Sequence, residues 1–449
     1  MAFYALATVP LIEQLGSDNP DVCQIWFSDD SGEAGQLREL RAWFDTINTL
    51  GKCYGYYVNS GKTVLLVKAD LWEYAHELFA GTNVQIVTHG TRYLGSAIGE
   101  PEFVRSFLRT KVTEWTQELE RLATFAHTEP HAAYAALTHG LRGRWTYILR
   151  TIPVDVDALL SLDQFLVEKL LPVLTGHTSV STDELRLLQL SARLGGIGLP
   201  CLKDIATAEF VASKKITNPQ VKEILLQQSV SRDGPVPSCT SIHGDVVALK
   251  KVLGKKRQQA AKERFNALLL DSQLNSRHLE VSAKGCSAWL TALPLKEYGF
   301  QRNKQEFWDA LALRYNWQLN AVPVTCVCGK SSTPDHAMIC SHGGYPTIRH
   351  NELHDLYAAL LTEVCHNIVF EPTLLPLDGE TFTTLSTNTS PDARADFRAT
   401  GFWTRGEEAY FDVRVFHPYA SSYLCRALTD LFKQHEQLKR LEYHAKKGS

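Results

Sequence analysis

Apolar and polar positions alternate along this chain with two periods, and the switches between them mark out its elements. The opening residues MAFYALATVPLI are apolar on all sides, like the middle of a buried helix. Gln24, Ile25, Trp26 and Phe27 form a short, largely apolar strand, and Asp29-Asp30 follows at a turn closed by Ser31-Gly32. Beyond GYYVNSGKT the run VLLV reads as a strand, and THGTRYLGSAIG as a second short strand pair. Trp115, Leu119, Leu122 and Phe125 then recur at helical spacing. The stretch PHAAYAALTHGLRGRWTYILRTI continues helical, carrying Arg142, Arg144 and Arg150. SARLGGIGLP ends a helix in a glycine cluster, a turn signal without the lysine and spacing of a phosphate loop. Residues 201–245 are mixed, with SRDGPVPS (231–238) as the best linker candidate.

Towards the end, YPTIRHNELHDLYAALLTEVC predicts a helix with one apolar face: Leu353, Leu356, Tyr357, Leu360, Leu361 and Val364. Glu352 and Asp355 fall elsewhere on it. NIVFEPTL, SPDARADFRATGFW and EAYFDVRVFHP read as three strands, followed by a helix ending HEQLKRLEYHAKK. The pattern predicts an α+β multidomain protein.

Composition narrows this reading. The chain has 449 residues, enough for two to four domains, and a net charge of −3, so any nucleic-acid surface must be local. Residues 250–264 supply a candidate: KKVLGKKRQQAAKER holds seven basic residues against one acid. Such a helix can track phosphates, or form an ordinary solvated face. The ten cysteines stand in a chain without the basic start of a secretory signal. They read as thiols or metal ligands in an intracellular protein, nuclear or cytoplasmic, and not as a disulfide framework. The apolar start is too short to span a bilayer.

Two patterns carry chemistry. Adjacent acids at a hairpin tip, Asp29 and Asp30, can hold Mg²⁺, although most such pairs are solvated turn acids. Cys326, Cys328, His336 and Cys340 offer three thiols and an imidazole to a tetrahedral Zn²⁺, with Gly329 allowing a tight turn between ligands. The one-residue Cys326–Cys328 spacing is shorter than usual, which leaves His342 as an alternative ligand.

FSDD, then NSGKT, then YLGSAIG follows the order of the late palm motifs of reverse transcriptases from non-LTR retrotransposons, which the chain resembles. The resemblance implies that Asp29 is a metal-binding acid with Asp30 its neighbour, that Lys62 is a proton donor to pyrophosphate, and that Tyr93-Leu94-Gly95 forms the primer-grip side. It begins partway through a motif. Fingers and the first metal-binding aspartate have no counterpart, so the expectation is that this chain alone does not polymerise DNA. The arginine-bearing helices resemble a thumb.

A cysteine–histidine knuckle followed by RHN, an aspartate and a strand reading FDVRV resembles the PD-(D/E)XK endonuclease of early-branching members of the same group. By that resemblance Asp396 and Asp412 hold Mg²⁺ or Mn²⁺, and Asp392 rivals Asp396. Arg414 stands where a catalytic lysine is expected, and Lys439 supplies the amine from the last helix. Glu352 helps from the first helix, whose N-terminus His350 and Asn351 support. The implied domains are a partial palm (1–104), a helical thumb (105–230), a helical connector (231–320), a zinc knuckle (321–345) and a restriction-like endonuclease (346–449). The implied activity is nicking of target DNA, whose 3′-hydroxyl would prime copying of element RNA. The competing expectations are a nucleic-acid-binding remnant whose catalysis has decayed, and a pseudogene product with no selected role.

Overall fold

The structure, a computed structural model, describes residues 2–226, 281–319, 322–372, 394–423, 426 and 428–444, together with scattered residues between 248 and 267. The chain divides into two compact units, Met1–Trp317 and Gln318–Ser449. The linker candidate at 231–238 and the rival acid Asp392 lie outside the described residues.

The first unit opens with helix α1 (Ala2–Asp18), hairpin strands β1 (Cys23–Phe27) and β2 (Asp30–Ala34), and α2 (Leu37–Leu50). Leu11, Leu15, Val22, Trp43 and Ile47 form a small core beneath the hairpin, with Trp26 and Tyr56 packed against it. The apolar start is therefore helical, but only one side of it is covered. Phe3 and Leu6 are exposed, because the contact with α2 is made further along, at Leu11 and Leu15. Next come β3 (Val64–Leu66), α3 (Trp72–Leu78) and β4 (Gln85–Val87), with β3 and β4 pairing in parallel across the intervening helix. The expected second strand pair is the antiparallel hairpin of β5 (Gly90–Tyr93) and β6 (Ser96–Gly99).

A large helical core follows. α4 (Pro101–Ala126) starts with proline in its first turn, where the missing N–H costs nothing. It buries Phe107, Leu108, Val112, Trp115 and Leu119 on one stripe, while Phe125 is left exposed. α5 (Pro130–Ala135) runs through a π-helical turn (Ala136–Leu141) into α6 (Arg142–Thr151), as the helical pattern there predicts. α7 (Leu160–Phe165), α8 (Leu171–Thr175) and α9 (Thr182–Gln189) complete this layer, with α10 (Leu202–Leu226) packed against α6. Ser181 and Glu184 close α9 with a reciprocal capping box.

Residues expected in a separate connector share this core. Leu290 of α11 (Ala288–Thr291) and Phe307, Leu311 and Tyr315 of α12 (Lys304–Tyr315) are buried in it. The glycine cluster does serve as a turn. Gly195 and Gly198 take left-handed φ values of 87° and 69°, and a Cβ on Gly196 would stand 2.0 Å from the Leu190 carbonyl oxygen. Arg314 reaches this loop from α12, donating to the Ala192 carbonyl (3.1 Å), the Gly196 carbonyl (3.4 Å) and Ser287 Oγ (2.9 Å).

The second unit holds a short helix α13 (Pro334–Ile339), then α14 (Tyr345–Thr362), then β7 (His366–Phe370), β8 (Phe397–Thr400) and β9 (Glu408–Phe411), and finally α15 (Leu428–His444). The strands form one antiparallel sheet in the order β7-β8-β9. Leu361, Cys365, Phe397 and Ala399 make its core. The expected apolar face of α14 is not the one that packs. Leu356, Tyr357, Leu360 and Val364 are exposed, and the inward stripe is His354, Ala358, Leu361 and Cys365. His354 draws that face inward through ring contacts with Phe370 and Phe397 and through a hydrogen bond at the strand end, to the Asp396 carbonyl.

No helix among the described residues is long and apolar enough to cross a membrane.

Candidate functional site

The cysteine–histidine segment brings its four predicted ligands together. Residues 324–332 double back on themselves: Thr325 bridges Ser331, and Cys326 N–H donates to the Lys330 carbonyl at 2.9 Å. Gly329, at φ 81°, donates its N–H to the Cys326 carbonyl at 2.8 Å, closing a turn that carries both thiols. That turn is how a one-residue spacing is accommodated. Thr333 then caps α13, its Oγ1 accepting the His336 N–H, so that His336 stands on the first turn and Cys340 just past the last.

The ligand atoms of Cys326, Cys328, His336 and Cys340 all lie within 4.8 Å of one another. Zinc–sulfur bonds of about 2.3 Å at tetrahedral angles put two thiolates about 3.8 Å apart. Cys326 Sγ and Cys340 Sγ are 3.7 Å apart, and Cys328 Sγ lies 3.1 Å from His336 Nε2. The Cys340 thiol titrates below its ordinary value: burial pushes it up, but N–H groups of Gly343 and His342 and the neighbouring thiols outweigh that. The donor set could hold a metal ion and is compatible with zinc. His342, the alternative ligand, lies beside Ser341 Oγ instead.

Among the described residues this is the one group of three or more histidine, cysteine or carboxylate side chains close enough to share an ion. Neither predicted acid pair belongs to such a group.

In the hairpin, Phe27 pairs with Asp30, so the loop is Ser28-Asp29 and Asp30 opens the second strand. Ser28 adopts φ 60° to make the two-residue connection. Tyr56 donates to the Asp29 carbonyl at 3.2 Å. Behind the tip, Glu33 faces Gln24, and burial pushes its carboxyl up to about 7. Its Oε1 and the Tyr93 hydroxyl are enclosed with no hydrogen-bond partner. Lys62 is exposed on a 3₁₀ turn (Ser60–Lys62). Of the expected thumb arginines, Arg144 pairs with Glu118 at 2.9 Å and Arg150 with Glu209 at 2.7 Å, each remaining half or more exposed. Described residues of the basic stretch are helical, with Lys255, Lys256, Lys262 and Arg264 exposed.

At the sheet, Phe397 pairs with Phe411, so Asp396 and Asp412 flank that pair at the same end of adjacent strands. The Asp396 carboxylate accepts the Val413 N–H. Helix α14 presents two imidazoles here. His350 Nε2 donates to the Val413 carbonyl at 3.1 Å and lies 3.9 Å from Asp396 Oδ1. His354 Nε2 donates to the Asp396 carbonyl at 3.2 Å, while its Nδ1 meets Asp355 at 2.9 Å. Burial lowers the His354 pKa, but these acceptors and the charges of Asp396 and Asp355 outweigh that and raise it. With acceptors on both nitrogens, His354 is held as a donor and not as a metal ligand.

Asp412 and Arg414 open on a groove of about 450 Å³, walled by Leu353, Phe411, Phe416 and Phe432. Both lie past the end of β9, so strand alternation does not set their directions. Glu352 is exposed, on a different side of α14 from the inward stripe, and does not join Asp396; the helix phase that turns His350 and His354 inward turns it out. Lys439 is on α15, and its side chain is not described. His350, expected to support the helix N-terminus, stands inside a helix that starts at Tyr345 and binds the Val413 carbonyl instead, and His354 and Asp335 had no expected role. The RHN triplet and the PDH of the knuckle were the available signals.

No protein-family model matches this chain, and no curated protein matches it.

Proposed function

We propose that the second unit is a metal-dependent DNA-nicking module carrying a zinc knuckle, and that the chain derives from a non-LTR retrotransposon reverse transcriptase and endonuclease. The observation that carries this reading is an order of parts. A Cys₃His cluster leads into a helix, three antiparallel strands with Asp396 and Asp412 at one end, and a closing helix.

Asp396 and Asp412 would hold Mg²⁺ or Mn²⁺, which supplies an activated water and charge stabilisation at a phosphodiester when bound. Two carboxylates are a small donor set, but Mg²⁺ is commonly held by one or two, with water and substrate phosphate completing its shell. The chain's own part is positional. The Val413 N–H fixes one Asp396 oxygen, and His350 binds the Val413 carbonyl. Arg414, permanently charged, cannot act as a base, and its role is to stabilise phosphate charge. In the first unit, Asp29 and Asp30 lack a third acid among the described residues, so the polymerase half is read as inactive.

The test is nicking of supercoiled DNA by the purified chain with Mn²⁺ or Mg²⁺, expected to fall at least a hundredfold in Asp412→Ala. Equal nicking by that variant sinks the assignment.

A second reading is a nucleic-acid-binding module without catalysis. It is favoured by the outward Glu352 and by an Asp396 carboxylate already engaged by backbone. It predicts salt-dependent binding to DNA or RNA with no cleavage at any metal concentration.

A further inference from the structure

The knuckle touches the acid-bearing end of the sheet at two points. Asp335, the residue before ligand His336, accepts from His417 Nε2 at 3.0 Å, and the His417 side chain is only 11% exposed. His417 ends the segment that begins at Asp412 and carries Val413 and Arg414. On the other side, Arg349 Nη1 reaches the sulfur of Met338 at 3.4 Å, from the middle of α13. The residue after Arg349 is His350, whose ring binds the Val413 carbonyl and faces Asp396. Both contacts thus lead, within a few residues, from a predicted metal ligand to the Asp396–Val413 hydrogen bond.

We propose that Asp335 and His417 are positioning residues through which the metal-loaded knuckle holds residues 412–417 against Asp396. The physical argument concerns order. Residues 412–417 form no strand or helix and so lack a ladder to fix them. A segment of that kind takes its position from whatever side-chain contacts it makes. A four-ligand ion in the knuckle would fix α13, since His336 and Cys340 bracket that helix, and fixing α13 fixes the Asp335 carboxylate. The consequence is reciprocal: if the loaded knuckle orders 412–417, breaking the contact weakens the metal by the same factor.

The idea of a catalytic purpose rests on the nuclease reading above, but the coupling itself can be tested without activity. The reporter is amide exchange at Val413, whose hydrogen goes to Asp396. The full chain is measured with zinc bound, after stripping with EDTA, and as Asp335→Ala and Asp335→Asn. Stripping zinc should speed exchange at Val413 about tenfold or more. Asp335→Ala should speed it about fivefold, and weaken zinc, read by competition with a chelating dye, by a similar factor. Asp335→Asn keeps an acceptor oxygen for His417 and should stay near the parent protein. Amides of Phe397–Thr400 should not change.

Val413 exchange indifferent to zinc and to Asp335→Ala overturns the proposal. Equal acceleration at Phe397–Thr400 also overturns it, since the knuckle would then support the whole sheet. Coupling present with no nicking leaves the proposal standing and removes only the nuclease reading.

Discussion

Arg314 shows at the level of one residue how the first unit is closed. Its side chain is buried, with two loop carbonyls and the Ser287 hydroxyl as acceptors. Arg314→Met keeps the stem and strands those acceptors, so we expect a loss of about 2–3 kcal/mol in urea unfolding. Composition gave no sign of this, because an arginine on a helix reads as solvated until the loop it caps is known. Glu33 is the counterpart in the hairpin. Burial moves its carboxyl from an ordinary 4.5 to about 7. Below pH 4.5 both folded and unfolded states hold the proton. As pH rises towards 7 the unfolded chain releases it first, so the stability present at low pH is lost through that window. The expected loss is about 2 kcal/mol, discounted for a residue that is only half-buried. Glu33→Gln should flatten the stability–pH curve between 4.5 and 7, and an unchanged slope in that variant would contradict the account.

Among the elements, periodicity located most helices and strands but not always their faces. The helical stripe at Trp115 and Leu119 and the alternation of Phe397 and Ala399 on β8 were legible because each buries a regular apolar set. Helix α14 was misphased. Its leucines suggested one face, whereas hydrogen bonds and ring contacts at His354 select another, and a polar residue's partners across space leave no trace in a local pattern. The Asp29-Asp30 turn was one residue out for a similar reason, since Ser28 accepts a left-handed backbone that composition favours in glycine or asparagine. The knuckle was the most legible element, because ligand spacing is a local property of sequence. Here the expectation is one zinc per chain, measured by mass spectrometry of the native protein. Cys328→Ser should bind zinc at least tenfold more weakly and expose α13 to proteolysis.

Across the whole molecule, the chain divides into two compact units, Met1–Trp317 and Gln318–Ser449. The finer divisions into palm, thumb and connector came from resemblance alone. In the first unit, residues assigned to thumb and connector share one core. What sequence could not supply was convergence: which acids meet, and what holds them. The strand register puts Asp396 and Asp412 at one end of the sheet, whereas Glu352 turns away and Asp29 and Asp30 gain no third acid among the described residues.

The central claim is that this acid pair cuts DNA. Its most direct measurement is conversion of supercoiled to nicked circles by zinc-loaded protein, with and without Mn²⁺, alongside Asp396→Asn and Asp412→Asn. The account predicts Mn²⁺-dependent nicking that both variants lose while keeping zinc and the parent's unfolding midpoint. Nicking that persists in both variants, or its absence in the intact protein at every metal concentration tested, would contradict it.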